Sequence, residues 1–263
     1  MNKIIFILFI FSIISILVCI FFYYKKIELY NSPTINIIPK SGLSNRLRTI
    51  LGYRKKAIME GKTLKVFWNT TNKECLCHFY DLFEPINNVV FINKNEVSIY
   101  HFVGQKTYQN TVKSVSQKEI DKDYIDLIKP KLNIQNNIDA FIKKYDIPNT
   151  ISIHVRRTDH ISLASKHNKY TSDIDFDNFI KKYSDKKIFL STDNDKTQEF
   201  YKNKYPDRIL IYEDIKKNNK NLRKTSIENA VIDIFIASKS KFFKPSGFSS
   251  FSEVILSLRY QKE

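Results

Sequence analysis

The sequence predicts an α/β protein built on parallel sheet, and three observations carry that prediction. Short runs rich in β-branched and aromatic residues recur at Ile35–Ile38, Leu64–Trp68, Val89–Ile92, Ile151–Val155, Lys187–Ser191, Arg208–Tyr212 and Lys241–Lys244. Stretches with apolar residues at helical spacing lie between most of them, and strands alternating with helices make parallel sheet covered on both faces. Three of the predicted strands discharge at their C-terminal ends into glycine, hydroxyl or charged residues, which is where open α/β sheets take ligands.

In chain order, the first feature is the apolar run Ile4–Tyr24, interrupted only by Ser12 and Ser15. About 20 such residues cross a bilayer as a helix, whereas the core of a removable signal peptide has about 7–15. Residues 4–24 therefore predict one N-terminal transmembrane helix. Tyr23 and Tyr24 would form an interfacial belt and Lys25 and Lys26 a charged stop. A type II orientation is expected, with the bulk of the chain in a lumen or outside the cell.

Asn31-Ser32-Pro33 breaks that helix. The strand Ile35–Ile38 then runs into Gly42-Leu43-Ser44-Asn45-Arg46, and Leu47, Ile50, Leu51, Ala57 and Ile58 continue at helical spacing toward a C-cap at Gly61. With Leu64–Trp68 this completes a βαβ unit whose glycine turn faces the ligand edge. Val89–Ile92 is a third strand, and residues 98–116 show no period. Helical patterns from Asp121 to Tyr145 break at Pro130, and Asp146–Asn149 is a linker. The alternation restarts with strand Ile151–Val155, then helices over Phe176–Tyr183, Lys196–Tyr205, Ser226–Ser238 and Phe251–Tyr260 separated by the remaining strands. The division expected is an anchor over 1–30, a Rossmann-like domain over 31–146 and a second over 147–263, with a cleft between them. A single continuous sheet is the alternative.

The formal charge of +16 comes from lysines spread along the whole chain, so it reads as composition more than as a binding tract. No nucleic-acid-binding motif accompanies it, and nucleic acid is not an expected partner. Cys75 and Cys77, with His78 beside them, lack the second ligand pair of a zinc site, and no metal is expected there.

Three strand ends carry candidate chemistry. At Gly42–Arg46 the free amides of a helix start can bind an anion, although the Walker and dinucleotide glycine patterns are both absent. At His154-Val155-Arg156-Arg157-Thr158-Asp159-His160, alternation sets His154 and Arg156 on the face opposite Ile151, Ile153 and Val155. Two arginines beside one acid would be under-compensated without an anionic ligand, and guanidinium forks suit a diphosphate. Internal ion pairing is the competing explanation. At Ser246-Gly247-Phe248-Ser249-Ser250, hydroxyls and amides open a helix and can hold phosphate oxygens.

These segments together resemble a known superfamily, the GT-B α1,6-fucosyltransferases, protein O-fucosyltransferases and bacterial nodulation fucosyltransferases. His154–Asp159 is similar to its first signature, Leu190-Ser191-Thr192-Asp193-Asn194-Asp195 to its second and Ser246–Phe251 to its third. Gly42–Arg46 resembles its N-terminal loop. The resemblance implies two Rossmann-like domains, the N-terminal on the acceptor side and the C-terminal binding the nucleotide sugar. It also implies inverting, metal-independent transfer of fucose from GDP-fucose to a glycan or protein hydroxyl, with no cofactor. Carried over, Arg156 would bind the β-phosphate and His154 and Asp233 would contact guanine. Ser249 and Ser250 would hold phosphate oxygens. Gly42, Asn45, Arg46, Arg157 and Asp193 would line the donor site. Where α1,6-fucosyltransferases carry a glutamate this chain has Ala164, so the general base stays open among Asp159, His160 and Asp193, with Asp159 the residue carried beside Arg156. Two rival readings are another nucleotide-sugar donor on the same fold, and a degenerate, membrane-tethered binding protein.

Overall fold

A computed structural model describes residues 11–20, 33–70, 75–92, 106–107, 116–157, 161–215 and 226–260. Residues 11–20 form a helix, α1, with its apolar side chains exposed. Among the described residues no helix is long and apolar enough to cross a membrane. The rest is a mixed α/β fold. Its first part comprises β1 (Thr34–Pro39), α2 (Leu43–Met59), β2 (Thr63–Phe67), α3 (Phe79–Leu82), β3 (Val89–Ile92) and β4 (Lys106–Thr107). Helices α4 (Gln117–Leu127) and α5 (Leu132–Tyr145) follow, and a 3-10 turn at Ile147–Asn149 leads into the second part. That part comprises β5 (Ile151–Val155), α6 (Ile161–Lys166), α7 (Asp173–Lys182), β6 (Ile188–Thr192), α8 (Asp195–Lys204), β7 (Ile209–Leu210), α9 (Ile227–Lys239), β8 (Phe242–Lys244) and α10 (Ser250–Arg259).

The strands form two four-stranded sheets, in the orders β3-β2-β1-β4 and β7-β6-β5-β8, and every pairing is parallel. The two orders are the same when each sheet is counted from its own first strand. In both, the winding reverses between the first strand and the fourth, and open sheets hold ligands at the carboxyl side of such a reversal. The two reversal points are β1/β4 and β5/β8.

Strand parity decides what each side of β5 meets. Ile151, Ile153 and Val155 pack with Phe176 and Ile180 of α7 in one apolar cluster. His154, on the other parity, meets Ser252 and Phe251 of α10. All five residues of β5 and of β6 are buried, as parallel strands covered on both faces must be.

A larger apolar cluster joins the two halves. It runs from Ile37, Leu47 and Leu64 through Ile120, Tyr124, Ile134 and Ile138 to Val231, Val254 and Ile255. Helix α10 starts at the second sheet and packs on α9, α4 and α2. Its C-terminal Arg259 reaches back to the end of α9, donating to the carbonyls of Ser240 at 2.7 Å and Lys241 at 3.0 Å. Helix boundaries follow local chemistry. Pro130 separates α4 from α5 because proline lacks the amide a helix interior needs. Ser116, Ser172 and Ser226 each accept a hydrogen bond from the amide three residues on, capping α4, α7 and α9.

Candidate functional site

The C-terminal ends of β5 and β8 lie side by side, and hydrogen bonds lock their loops together. The amide of Arg156, one residue past β5, donates to Ser246 Oγ at 3.0 Å. The amide of Ser246 donates to Ser252 Oγ at 3.1 Å, and Ser252 Oγ is 2.7 Å from His154 Nδ1. His154, Ser246 and Ser252 are all buried. His154 also lies against the Phe251 ring, with centroids 4.4 Å apart.

Gly247 has a steric role. A Cβ built on it would sit 1.8 Å from the Lys169 carbonyl oxygen, so only glycine lets the two backbones approach this closely. Its amide donates to Thr171 Oγ1 at 2.8 Å. The left-handed residue of this loop is its neighbour Phe248, at φ 57°, whose ring stacks on His167 with centroids 4.5 Å apart. Bulky residues rarely adopt that conformation, and such strain persists where the surroundings hold it.

Ser249 is the N-cap residue of α10 but its side chain makes no capping bond. It is 1% exposed, and its hydroxyl has no hydrogen-bond partner among the described residues. A buried hydroxyl without a partner is costly. Here it stands with the open amides of a helix start, an arrangement that suits an anion such as a phosphate. Ser250 is the first residue of that helix.

The arginines have separate duties. Arg157 shares the parity of Val155 and turns toward α7. It pairs with Asp173 at 2.6 Å and lies over Tyr170 and Phe176. Internal pairing, the competing explanation at this strand end, thus describes Arg157. Arg156 follows β5 at the parity of His154. Arg46 is wholly buried. It donates to the carbonyls of Ser41 at 2.7 Å and Asn69 at 2.6 Å and lies 4.9 Å from the Trp68 ring centre. Its position is beneath the N-terminal loop, where it fastens the end of β1 to the end of β2.

That loop also differs from the sequence expectation in its turn. Gly42 is the N-cap of α2 at an ordinary φ of −72°, while Ser41 takes the left-handed conformation at φ 67°. The Ser41 carbonyl held by Arg46 stabilises a conformation serine would otherwise avoid. Asn45 Oδ1 accepts from Arg48 at 2.8 Å, and Arg48 pairs in turn with Glu253 in the first turn of α10. The two candidate loops are therefore linked through one ion pair.

Asp193 follows β6, but the cap of α8 is Asn194, whose Oδ1 accepts from the Thr197 amide at 2.8 Å. Asp233 lies in the middle of α9, with a partly accessible edge in a densely packed surround. Desolvation pushes its carboxyl well above the usual carboxylate range. Ala164 is buried in α6. Asp159 and His160 fall outside the described residues. Among the described residues, no group of three or more His, Cys, Asp or Glu is placed to hold a metal ion.

Comparison with known proteins gives a one-sided result. No protein-family model matches the chain, and no curated protein matches it in sequence. Solved structures do. NodZ alpha-1,6-fucosyltransferase soaked with GDP-fucose is 16% identical, with the match covering 87% of this chain and 93% of that one at a TM-score of 0.62. NodZ has also been solved from Bradyrhizobium. The fold is shared. POFUT1 in complex with GDP is 11% identical, with the match covering 87% of this chain and 94% of that one at a TM-score of 0.58. A mutant of Arabidopsis thaliana FUT1 in complex with GDP is 13% identical, covering 87% of this chain and 69% of its own, at 0.51.

The sequence placed Ser246 in a candidate phosphate loop, but it did not single out Ser252, Thr171 or the Arg48–Glu253 pair. Ser252 left one trace, a polar residue three positions from Ser249 on the stripe that buries Val254 and Ile255. Thr171 left none, because its contact with Gly247 spans 76 positions.

Proposed function

We propose that the chain is a membrane-anchored, inverting glycosyltransferase of GT-B architecture that moves fucose from GDP-fucose to a glycan or protein hydroxyl. The observation that carries the reading is the juxtaposition at β5/β8. Arg156 is fixed through its amide to the loop that holds the buried Ser249 hydroxyl and the amides opening α10. Such an arrangement would cradle phosphate oxygens, and the reading assigns the Arg156 guanidinium to its edge. The likeness of fold to structures holding GDP or GDP-fucose supports the choice of nucleotide.

In this reading the diphosphate lies at the start of α10, with Ser249 and Ser250 on its oxygens. The Arg156 guanidinium binds the β-phosphate. His154 and Asp233 face the guanine, whose ring N–H and amino groups would pair with the Asp233 carboxylate. The acceptor hydroxyl attacks the anomeric carbon from the side opposite the phosphate. The new C–O bond forms as the bond to the β-phosphate oxygen breaks, and GDP leaves with the electron pair. Arg156 stabilises the charge that builds on the leaving oxygen, the largest usual contribution to such a step. The acceptor proton passes to a base among Asp159, His160 and Asp193. Asn45, on the opposite loop, lines the cleft. The anchor is residues 4–24, of which the exposed apolar helix 11–20 is a part.

The test is donor hydrolysis and transfer with a panel of GDP-, UDP- and CMP-sugars, on the wild-type chain and on Arg156→Ala and Arg156→Lys. GDP-fucose is expected to be consumed by the wild type, with a loss of about 10²–10³-fold in Arg156→Ala, comparable with removing one charge-stabilising donor. Lysine keeps the charge but loses the fork, so it is expected to restore only part of the rate. Turnover of another sugar nucleotide in place of GDP-fucose refutes the donor assignment. Undiminished turnover by Arg156→Ala refutes the role of the arginine.

A further inference from the structure

Ser252 has no part in the reading above, yet it sits at the centre of the site. Its Oγ accepts the Ser246 amide at 3.1 Å and lies 2.7 Å from His154 Nδ1, and Ser252 itself is 2% exposed. A hydroxyl has one hydrogen and two lone pairs. One lone pair is taken by Ser246. If His154 carried its proton on Nδ1, the imidazole would donate into the same oxygen, and the serine hydrogen would need a third group. Among the described residues Ser252 Oγ has hydrogen bonds to Ser246 and His154 only. If the serine hydrogen points at Nδ1, the Ser252 hydroxyl, the Ser246 amide and the Arg156 amide each donate to an acceptor within this chain of bonds. The imidazole proton then lies on Nε2.

We propose that Ser252 is a positioning residue that holds His154 as the Nε2–H tautomer, so that the ring offers a hydrogen-bond donor to the base of the bound nucleotide. The proposal rests on the donor-site reading above. A donor at this position matches the acceptor edge of guanine, where N7 and O6 stand together; adenine carries an amino group in place of O6. The same hydroxyl also sets the Ser246 loop, and Ser246 Oγ receives the Arg156 amide at 3.0 Å. One side chain thus places the base-facing imidazole and the phosphate-facing arginine in a common register.

The test uses the detergent-solubilised full chain labelled with ¹⁵N-histidine, as wild type, Ser252→Ala, Ser252→Thr and His154→Gln, the last to assign the resonance. Long-range ¹H–¹⁵N spectra report the tautomer without any ligand, and calorimetry reports binding of GDP and of ADP. The wild type is expected to show His154 protonated on Nε2. Ser252→Ala is expected to shift it toward Nδ1 or a mixture, to bind GDP about tenfold more weakly, the equivalent of one hydrogen bond, and to lose preference for GDP over ADP. Ser252→Thr keeps the hydroxyl in the same helical turn and is expected to restore tautomer and affinity, which separates positioning from a folding defect. A wild-type His154 protonated on Nδ1, or a Ser252→Ala chain with unchanged tautomer and unchanged GDP affinity, overturns the proposal. A wild type with the expected tautomer dependence that binds no guanine nucleotide overturns the donor reading instead and leaves the tautomer assignment supported.

Discussion

Replacing Gly247 by alanine tests whether the closeness of two loops makes the site. The added Cβ would lie 1.8 Å from the Lys169 carbonyl oxygen and 2.9 Å from its carbon, both backbone atoms that cannot rotate away. Real Cβ contacts essentially never fall below 3.0 Å, so the loops must part by about 1.2 Å, the difference between that limit and the 1.8 Å contact. Moving Gly247 by this much would stretch its amide bond to Thr171, now 2.8 Å, and drag Ser246 and Ser249 with it. Breaking that hydrogen bond costs about 1 kcal/mol of stability, a small change in melting temperature. The functional cost is larger, because a displacement of about 1 Å in a catalytic site lowers rate by about 10²-fold. Calorimetric GDP titration and GDP-fucose turnover, alongside circular dichroism of the same sample, measure both sides. A Gly247→Ala chain that keeps GDP affinity and turnover within twofold of wild type would refute the idea that this crossing sets the phosphate cradle.

Two further outcomes are expected. Burial raises the Asp233 carboxyl above its unfolded value, so the folded chain binds that proton more tightly than the unfolded chain. The stabilising effect of that proton is complete below the unfolded pKa and is lost as pH rises through the raised folded value. Asp233→Asn should therefore melt higher than wild type at pH 7, with the gap closing at low pH, while binding GDP more weakly; equal melting temperatures at both pH values would count against it. Arg259→Ala removes the bonds to the Ser240 and Lys241 carbonyls and should cost about 1.5–3 kcal/mol in urea unfolding, with the m-value unchanged.

The strands were legible because their apolar runs end abruptly in polar or turn-forming residues, and β1, β2, β3, β5, β6, β7 and β8 overlap the sequence expectations. The two-residue β4 was not, since an edge strand that short leaves no period in the polar and aromatic stretch 98–116. Helix α6 spans six residues, too few to show helical spacing. The parity of β5 was readable, and Arg157, at the parity of Val155, lies over Phe176 of α7 as alternation requires. What alternation could not supply was the partner. Asp173 lies 16 positions from Arg157, and only the path of the chain brings it there. Arg46 shows the opposite limit, because a guanidinium inside the protein defies hydropathy. Its partners are backbone carbonyls, which side-chain patterns do not report.

Helix α10 has a consequence for the order of folding. Its N-terminus carries the loop proposed to hold phosphate, and Val254 and Ile255 complete an apolar cluster that includes Ile37 and Leu64 of the first sheet. During synthesis the first sheet emerges long before this helix does. Until α10 is made, part of the surface beneath it on α2 and α4 has no cover. The two halves are thus ill suited to fold one after the other on the ribosome, as independent domains commonly do. Their late contacts join residues separated by nearly the whole described chain, and closing contacts of that range is slow. The early half would then spend the interval before α10 appears as a client for chaperones.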